Sequence, residues 1–157
     1  MLIVETRSEK ETFNLGVITG KNIFYPAIIA LTGDLGSGKT VFVKGIAKGM
    51  GIKETVKSPS FVIINEYSAP HPLYHFDLYR INDPAELFNL GYEEYISTQN
   101  GVVAIEWADK IANFLPSEYL KVRIEIRDFH LRSIAFIPEG NKNYHNLVFK
   151  IKSELKC

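Results

Sequence analysis

Cysteine, surplus charge and long apolar runs are all scarce in this chain. The only cysteine of the 157 residues is Cys157, the last one. That rules out an internal disulfide, and it suits a reducing compartment. Lys and Arg together number 18, and so do Asp and Glu. A zero formal charge argues against a protein held to nucleic acid by a broad basic face, which needs a surplus of cations. The longest apolar stretch, Phe24 to Leu31, falls far short of the roughly 20 residues that cross a bilayer. The start, "MLIVETRSEKE", has no basic segment leading into an apolar one, so no signal peptide is expected. A cytoplasmic protein with no membrane attachment is the default reading.

Apolar residues make up 46% and charged residues 23%, the ordinary globular mix. The length suggests one domain over residues 1–157. A chain of this size buries about two-thirds of its unfolded surface, enough for a core without staples. "LIVET" reads as a strand. Ser8 with Glu11 three residues on makes a capping box for a helix carrying Phe13, Val17 and Ile18, with Gly20 as its stop. "YPAIIALTG" is apolar on both faces, as the middle strand of a parallel sheet must be. After it, Val43, Ile46, Ala47 and Met50 share one helical face, which Gly51 ends. Gly45 and Gly49 weaken that helix by about 1 kcal/mol each relative to Ala.

Further on, "SFVIINEYS" and "LYHFDLYR" flank the turn "APHP" and predict a hairpin. Asp83 and Pro84 start a helix that Gly91 ends. "GVVAIEW" is a second buried strand. "LKVRIEIRD" and "LRSIAFIP" alternate as half-buried strands, and "YHNLVFKIKSELKC" fits strand or helix. Helices interleaved with strands give an α/β layered fold, its central sheet mixed because of the hairpins.

The sharpest feature is "GDLGSGKT", Gly33 to Thr40. It satisfies G-x-x-x-x-G-K-[ST] between a buried strand and an amphipathic helix, which is the setting that motif requires. Glycines let the backbone N–H groups converge on an anion, and the helix start adds its positive dipole end. Lys39 would then reach the outer phosphates and Thr40 would set its hydroxyl on Mg²⁺.

Such a site also needs a carboxylate near the metal, at the carboxyl end of a neighbouring strand. Glu106 ends "VVAIE" and Asp77 ends "LYHFD"; the residues leave a role open for both. "KSPSF" holds Ser58 before a proline and Ser60, whose hydroxyl could meet Mg²⁺ or a γ-phosphate as a switch segment does. His75 reads as structural, because no Cys or second His stands at ligand spacing.

Taken in order, "GDLGSGKT", "SPSF", "NEY", "HFDLYR", "DPAEL..LG" and "IEW" resemble the TsaE family (older name YjeE). These are small bacterial P-loop ATPases required to make threonylcarbamoyladenosine next to the anticodon of tRNA. The resemblance runs from about Leu15 to Trp107 and is loose in the C-terminal third. The family has Thr where this chain has Ser60.

The resemblance implies a P-loop NTPase-like fold with a mostly parallel sheet and flanking helices. It implies ATP bound by Asp34, Leu35, Gly36, Ser37, Gly38, Lys39, Thr40 and Val41, with Trp107, the loop Ala108 to Ile111 and Arg132 nearby. From the residues alone, Trp107 fits core packing equally well, and Arg132 reads as a solvated strand residue. Thr40 and Glu106 would hold Mg²⁺. Lys39, Asp77 and Glu106 would form the catalytic set, with Asp77 as a water-orienting acid or a switch contact. Ser58 to Phe61 would sense the nucleotide, with Arg80 beside it. The partners implied are TsaB- and TsaD-type proteins, with tRNA met indirectly and ATP turnover slow without them.

Two rivals share the loop. A small-molecule kinase would use Arg80, Arg123, Arg127 and Arg132 to neutralise a transferring phosphoryl group, although no long Arg-rich lid interrupts the second half. A regulatory module would bind nucleotide without useful turnover. A GTPase is disfavoured, since "NKNY" at Asn141 to Tyr144 lacks the acid that reads guanine.

Overall fold

In the computed structural model, which describes residues 1–57 and 63–156, the apolar run after Pro26 is the centre of the sheet. Strand β2 (Ala27–Thr32) is buried from Ala27 to Leu31. It pairs in parallel with β5 (Val102–Glu106) on one side and β6 (Tyr119–Ile126) on the other. Strand β4 (Leu73–Asp77) adds to β5, again parallel. Antiparallel partners close both flanks. These are β3 (Ile64–Tyr67) beside β4, and β7 (Arg132–Glu139) followed by β1 (Leu2–Thr6) beyond β6. Among the described residues the order β1-β7-β6-β2-β5-β4-β3 makes seven strands with a parallel core, the mixed α/β sheet read from the sequence.

Helices cover both faces. Helices α1 (Glu9–Asn22), α2 (Lys39–Gly49) and α5 (Lys142–Leu155) bury Leu15, Phe42, Ile46, Leu147 and Ile151 against Ile29, Leu31, Ala104 and Val122. The opposite face takes α3 (Pro84–Phe88), α4 (Tyr92–Ile96) and a 3₁₀ segment (Ala108–Phe114), packed on Ile28, Ala30, Val103 and Ile105. Among the described residues no helix is long and apolar enough to cross a membrane.

Two local expectations change, one holds and one ambiguity is settled. Helix α1 runs past Gly20 to Asn22, and its buried face is Thr12, Leu15, Gly16, Thr19 and Gly20, while Phe13, Val17 and Ile18 are half-buried. The reason is the α1–α2 contact, which is made backbone to backbone. A Cβ on Gly45 would lie 2.2 Å from the Phe13 carbonyl oxygen, and one on Gly20 the same distance from that of Ile46. Gly20 thus serves close approach and does not stop the helix. Helix α2 ends as expected: Gly49 is its last residue, and Gly51, with φ 83°, follows the Met50 cap. Gly91 caps the start of α4, and α3 has already ended at Phe88. The ambiguous C-terminal run is helix α5: Tyr144, Leu147, Val148 and Ile151 are buried at helical spacing, and the Asn141 side chain accepts from the Asn143 N–H at 2.8 Å. The Tyr144 hydroxyl accepts the Ile28 N–H at 2.8 Å, tying α5 to the central strand.

Candidate functional site

The loop that leaves β2 and enters α2 is shaped by two glycines. A Cβ on Gly33 would stand 2.4 Å from the Ile124 carbonyl oxygen, so no side chain fits there. Gly38, the residue before α2, has φ 110° and ψ 17°, a left-handed conformation that glycine adopts without strain. Between them the Ser37 N–H closes a turn on the Asp34 carbonyl at 3.0 Å. The first N–H groups of the 11-residue helix have no acceptors within it. Such a helix start presents donors and a positive dipole end to an anion.

Lys39 opens the helix and is buried. Its ammonium donates to the Gly33 carbonyl at 2.5 Å, the Asp34 carbonyl at 3.0 Å and Ser37 Oγ at 3.4 Å. It also sits 4.0 Å from the centroid of the Trp107 ring, a cation–π distance. Burial pushes the Lys39 pKa down, while Glu106, Asp77, Asp109 and Asp34 pull it back up. Among the described residues no carboxylate lies within ion-pair distance of it. Carbonyls and a ring meet the ammonium at contact distance, with the carboxylates farther off.

Trp107 gets over Lys39 by an unusual backbone. It has φ 59° and ψ 39°, and it alone among the described non-glycine residues has positive φ. This left-handed geometry costs about 1–2 kcal/mol. It turns the chain from the end of β5 into the 3₁₀ segment. Tyr79 lies against the same ring at 5.2 Å, and the Lys110 ammonium donates to the Tyr79 and Ile81 carbonyls, bracing the turn.

Glu106 ends β5 beside this group and is buried. The Thr40 hydroxyl meets both carboxylate oxygens, at 2.8 and 3.0 Å. His75 Nε2 lies 2.5 Å from Glu106 Oε2. Asp77 stands opposite Glu106 in the β4–β5 register, half-buried, and its Oδ1 accepts the Tyr79 N–H at 3.1 Å.

A cleft of about 130 Å³ opens on the other side of the loop. Gly36, Ser37, Gly38 and Val41 line it together with Ser8 and Arg132. Arg132 is not simply solvated. Its Nε donates to the Ser37 carbonyl at 3.2 Å, and another guanidinium N–H donates to Asp128 O at 3.1 Å.

The structure thus gathers Ser37, Gly38, Lys39, Thr40, Glu106 and Trp107 tightly, with Asp77 at the lip and Gly36, Val41 and Arg132 on the cleft side. Asp34 and Leu35 form the exposed crest of the loop, and Arg80 is exposed just beyond β4. Ala108 and Ile111 are buried beneath the 3₁₀ segment. Ser58 to Phe61, the expected switch, lies outside the described residues. Sequence reasoning missed His75 as the partner of Glu106, and it missed Ser8 and Phe129 at the cleft.

A phosphate and a magnesium ion both fit this donor set. The glycine loop offers amides where side chains are excluded. Among the described residues no three His, Cys, Asp or Glu side chains form a metal cage. One hydroxyl and one carboxylate are what Mg²⁺ takes when substrate phosphates and water complete its shell.

Comparison with known proteins agrees on the lineage. The family described as "Threonylcarbamoyl adenosine biosynthesis protein TsaE" matches residues 6–134, well beyond the segment that carries the motifs. The tRNA threonylcarbamoyladenosine biosynthesis protein TsaE of Bacillus subtilis is 46% identical over 116 residues, 73% of this chain and 72% of that protein. The protein of that name from Nostoc is 40% identical over 134 residues, 83% and 82% of the two chains. The crystal structure of Bacillus subtilis YdiB superposes with a TM-score of 0.82 at 34% identity, covering 98% of this chain and 95% of that one. The chain belongs to the TsaE family, whose members serve threonylcarbamoyladenosine biosynthesis.

Proposed function

We propose that this protein is a Mg²⁺-dependent ATPase whose turnover is coupled to a TsaB–TsaD-type complex during threonylcarbamoyladenosine modification of tRNA. The observation that carries this reading is the meeting of Lys39, Thr40 and Glu106 at the start of α2. A phosphate-binding lysine, a metal-binding hydroxyl and a strand-end carboxylate are the three side chains a P-loop ATPase requires there.

The chain's own residues divide the work. The Gly33–Lys39 backbone binds phosphate oxygens through its amides, and the α2 dipole favours their charge. Lys39 is desolvated already and has no carboxylate at ion-pair distance, so exchanging its loop carbonyls for phosphate oxygens is favourable. Thr40 and Glu106 hold the Mg²⁺, which when bound neutralises charge on the phosphates. Asp77, more open than Glu106, orients the attacking water or takes its proton. The cleft between Val41 and Arg132 takes the nucleoside end.

Hydrolysis can drive a partner only if partner contacts differ between nucleotide states. Ser58 to Phe61 and Arg80, next to Asp77 in sequence, are the segment assigned to that task. The protein contacts tRNA through its partners, as its zero net charge suits.

The test is ATP turnover measured alone and with TsaB- and TsaD-type partners, with and without tRNA. A large partner-dependent rise is the expected result. Partner-independent transfer of the γ-phosphate to a small acceptor would instead identify a kinase.

A further inference from the structure

His75 is fully buried in β4, and packing alone does not account for it. An apolar side chain would fill the same space without burying two ring nitrogens. One of them, Nδ1, has no hydrogen-bond partner among the described residues, a state the protein tolerates at a cost to stability. The other, Nε2, lies 2.5 Å from Glu106 Oε2.

The proton can be assigned from this pattern. A proton on Nδ1 would leave a buried donor unmatched and set the Nε2 lone pair against a carboxylate oxygen. A proton on Nε2 gives Glu106 a donor, and a bare Nδ1 leaves only an acceptor lone pair without a partner. The strand register explains the reach. His75 stands opposite Ala104, two residues before the Asp77–Glu106 pair, so His75, Asp77 and Glu106 all project to the α2 face. Ala104 ends at Cβ and leaves room for the Glu106 carboxylate to turn back toward the ring.

We propose that His75 is a positioning residue: its Nε2–H fixes the orientation in which the Glu106 carboxylate faces a divalent cation beside Thr40. This rests on the reading of Glu106 as a cation ligand. The Thr40 hydroxyl supplies one proton, shared between two oxygens, and a carboxylate held by one donor can swing about it. A second donor from a different element, β4, removes that freedom. Outer donors of this kind orient metal ligands and are worth about 10–100-fold in metal affinity.

The experiment titrates Mn²⁺ into the full chain saturated with a non-hydrolysable ATP analogue and reads bound Mn²⁺ by electron paramagnetic resonance. It compares wild type, His75→Leu, His75→Gln and Glu106→Gln. His75→Leu, which keeps bulk and loses the donor, is expected to weaken Mn²⁺ by about 10-fold or more. His75→Gln, whose amide N–H reaches the same oxygen, is expected to stay near wild type. Wild-type affinity in His75→Leu overturns the proposal, as does equal loss in both His75 variants, which marks packing alone. Wild-type affinity in Glu106→Gln overturns the assignment of Glu106 as ligand, and the proposal with it. Should His75→Leu fail to fold, the ring nitrogen shifts of His75 in wild-type protein decide: Nε2–H supports the proposal and Nδ1–H overturns it.

Discussion

Asp77 and Glu106 face each other across adjacent parallel strands, yet only Glu106 is buried. Glu106 is held by Thr40 and contacts His75, while Asp77 sits half-buried at the lip and accepts a backbone N–H. Two carboxylates in different surroundings suit different tasks. Under the proposed reading, Asp77→Asn keeps nucleotide and cation binding near wild type and lowers hydrolysis by about 10²–10⁴-fold, the usual worth of a general base. Glu106→Gln loses cation dependence of binding. Partner-stimulated turnover combined with equilibrium binding separates the two, and an Asp77→Asn protein that hydrolyses normally contradicts the division.

Trp107 is the only tryptophan, and it lies 4.0 Å from the Lys39 ammonium. Its emission therefore reports where that charge is. Lys39→Met should shift the emission of the protein without ligand and abolish any change on adding ATP with Mg²⁺. An emission spectrum indifferent to Lys39→Met would show that the ring and the ammonium do not interact in solution.

Helix propensity alone says that Gly45→Ala stabilises α2 by up to about 1 kcal/mol. The structure predicts the opposite. The new methyl would lie 2.2 Å from the Phe13 carbonyl oxygen, a backbone atom that cannot swing aside. Overpacking costs about 1–3 kcal/mol, so Gly45→Ala should lower the denaturation midpoint. A raised midpoint in urea would refute the close α1–α2 contact.

Burial pushes the Tyr92 hydroxyl up to about 12, and that hydroxyl donates to the Phe114 carbonyl at 3.1 Å. In the unfolded chain it titrates near its ordinary value of 10.0. Below that pH both states hold the proton and Tyr92 adds no pH dependence. Between about 10 and 12 the unfolded chain releases it first, so stability falls as pH rises. Urea unfolding over this range should show a steeper alkaline loss for wild type than for Tyr92→Phe; identical slopes would contradict the assignment.

The loop, its flanking strand and helix, and the strand-end acids were legible because each is a local pattern. Buried strands read as unbroken apolar runs, and G-x-x-x-x-G-K-[ST] needs only neighbours in sequence. The contact of His75 with Glu106 is not legible, because Glu106 lies 31 residues on and is brought near by parallel pairing, which no local period encodes. The bond from Arg132 to the Ser37 carbonyl is hidden for the same reason: β7 is brought beside the loop by pairing with β6. Gly20 resembles a helix stop in sequence because its packing partner Ile46 lies in another helix. Helix α5 is ambiguous in sequence because "NLVFKI" is rich in strand-favouring residues, and tertiary burial of one face settles it.

The central claim is that the Gly33–Thr40 backbone and Lys39 grip a nucleotide's phosphates. Isothermal calorimetry of the full chain with a non-hydrolysable ATP analogue and saturating Mg²⁺ tests it most directly, with Lys39→Ala beside it. The account predicts stoichiometric binding to wild type and a marked loss of affinity in the variant, which lacks the point charge on the outer phosphates. No heat of binding in wild type, or equal affinity in the two proteins, would contradict it.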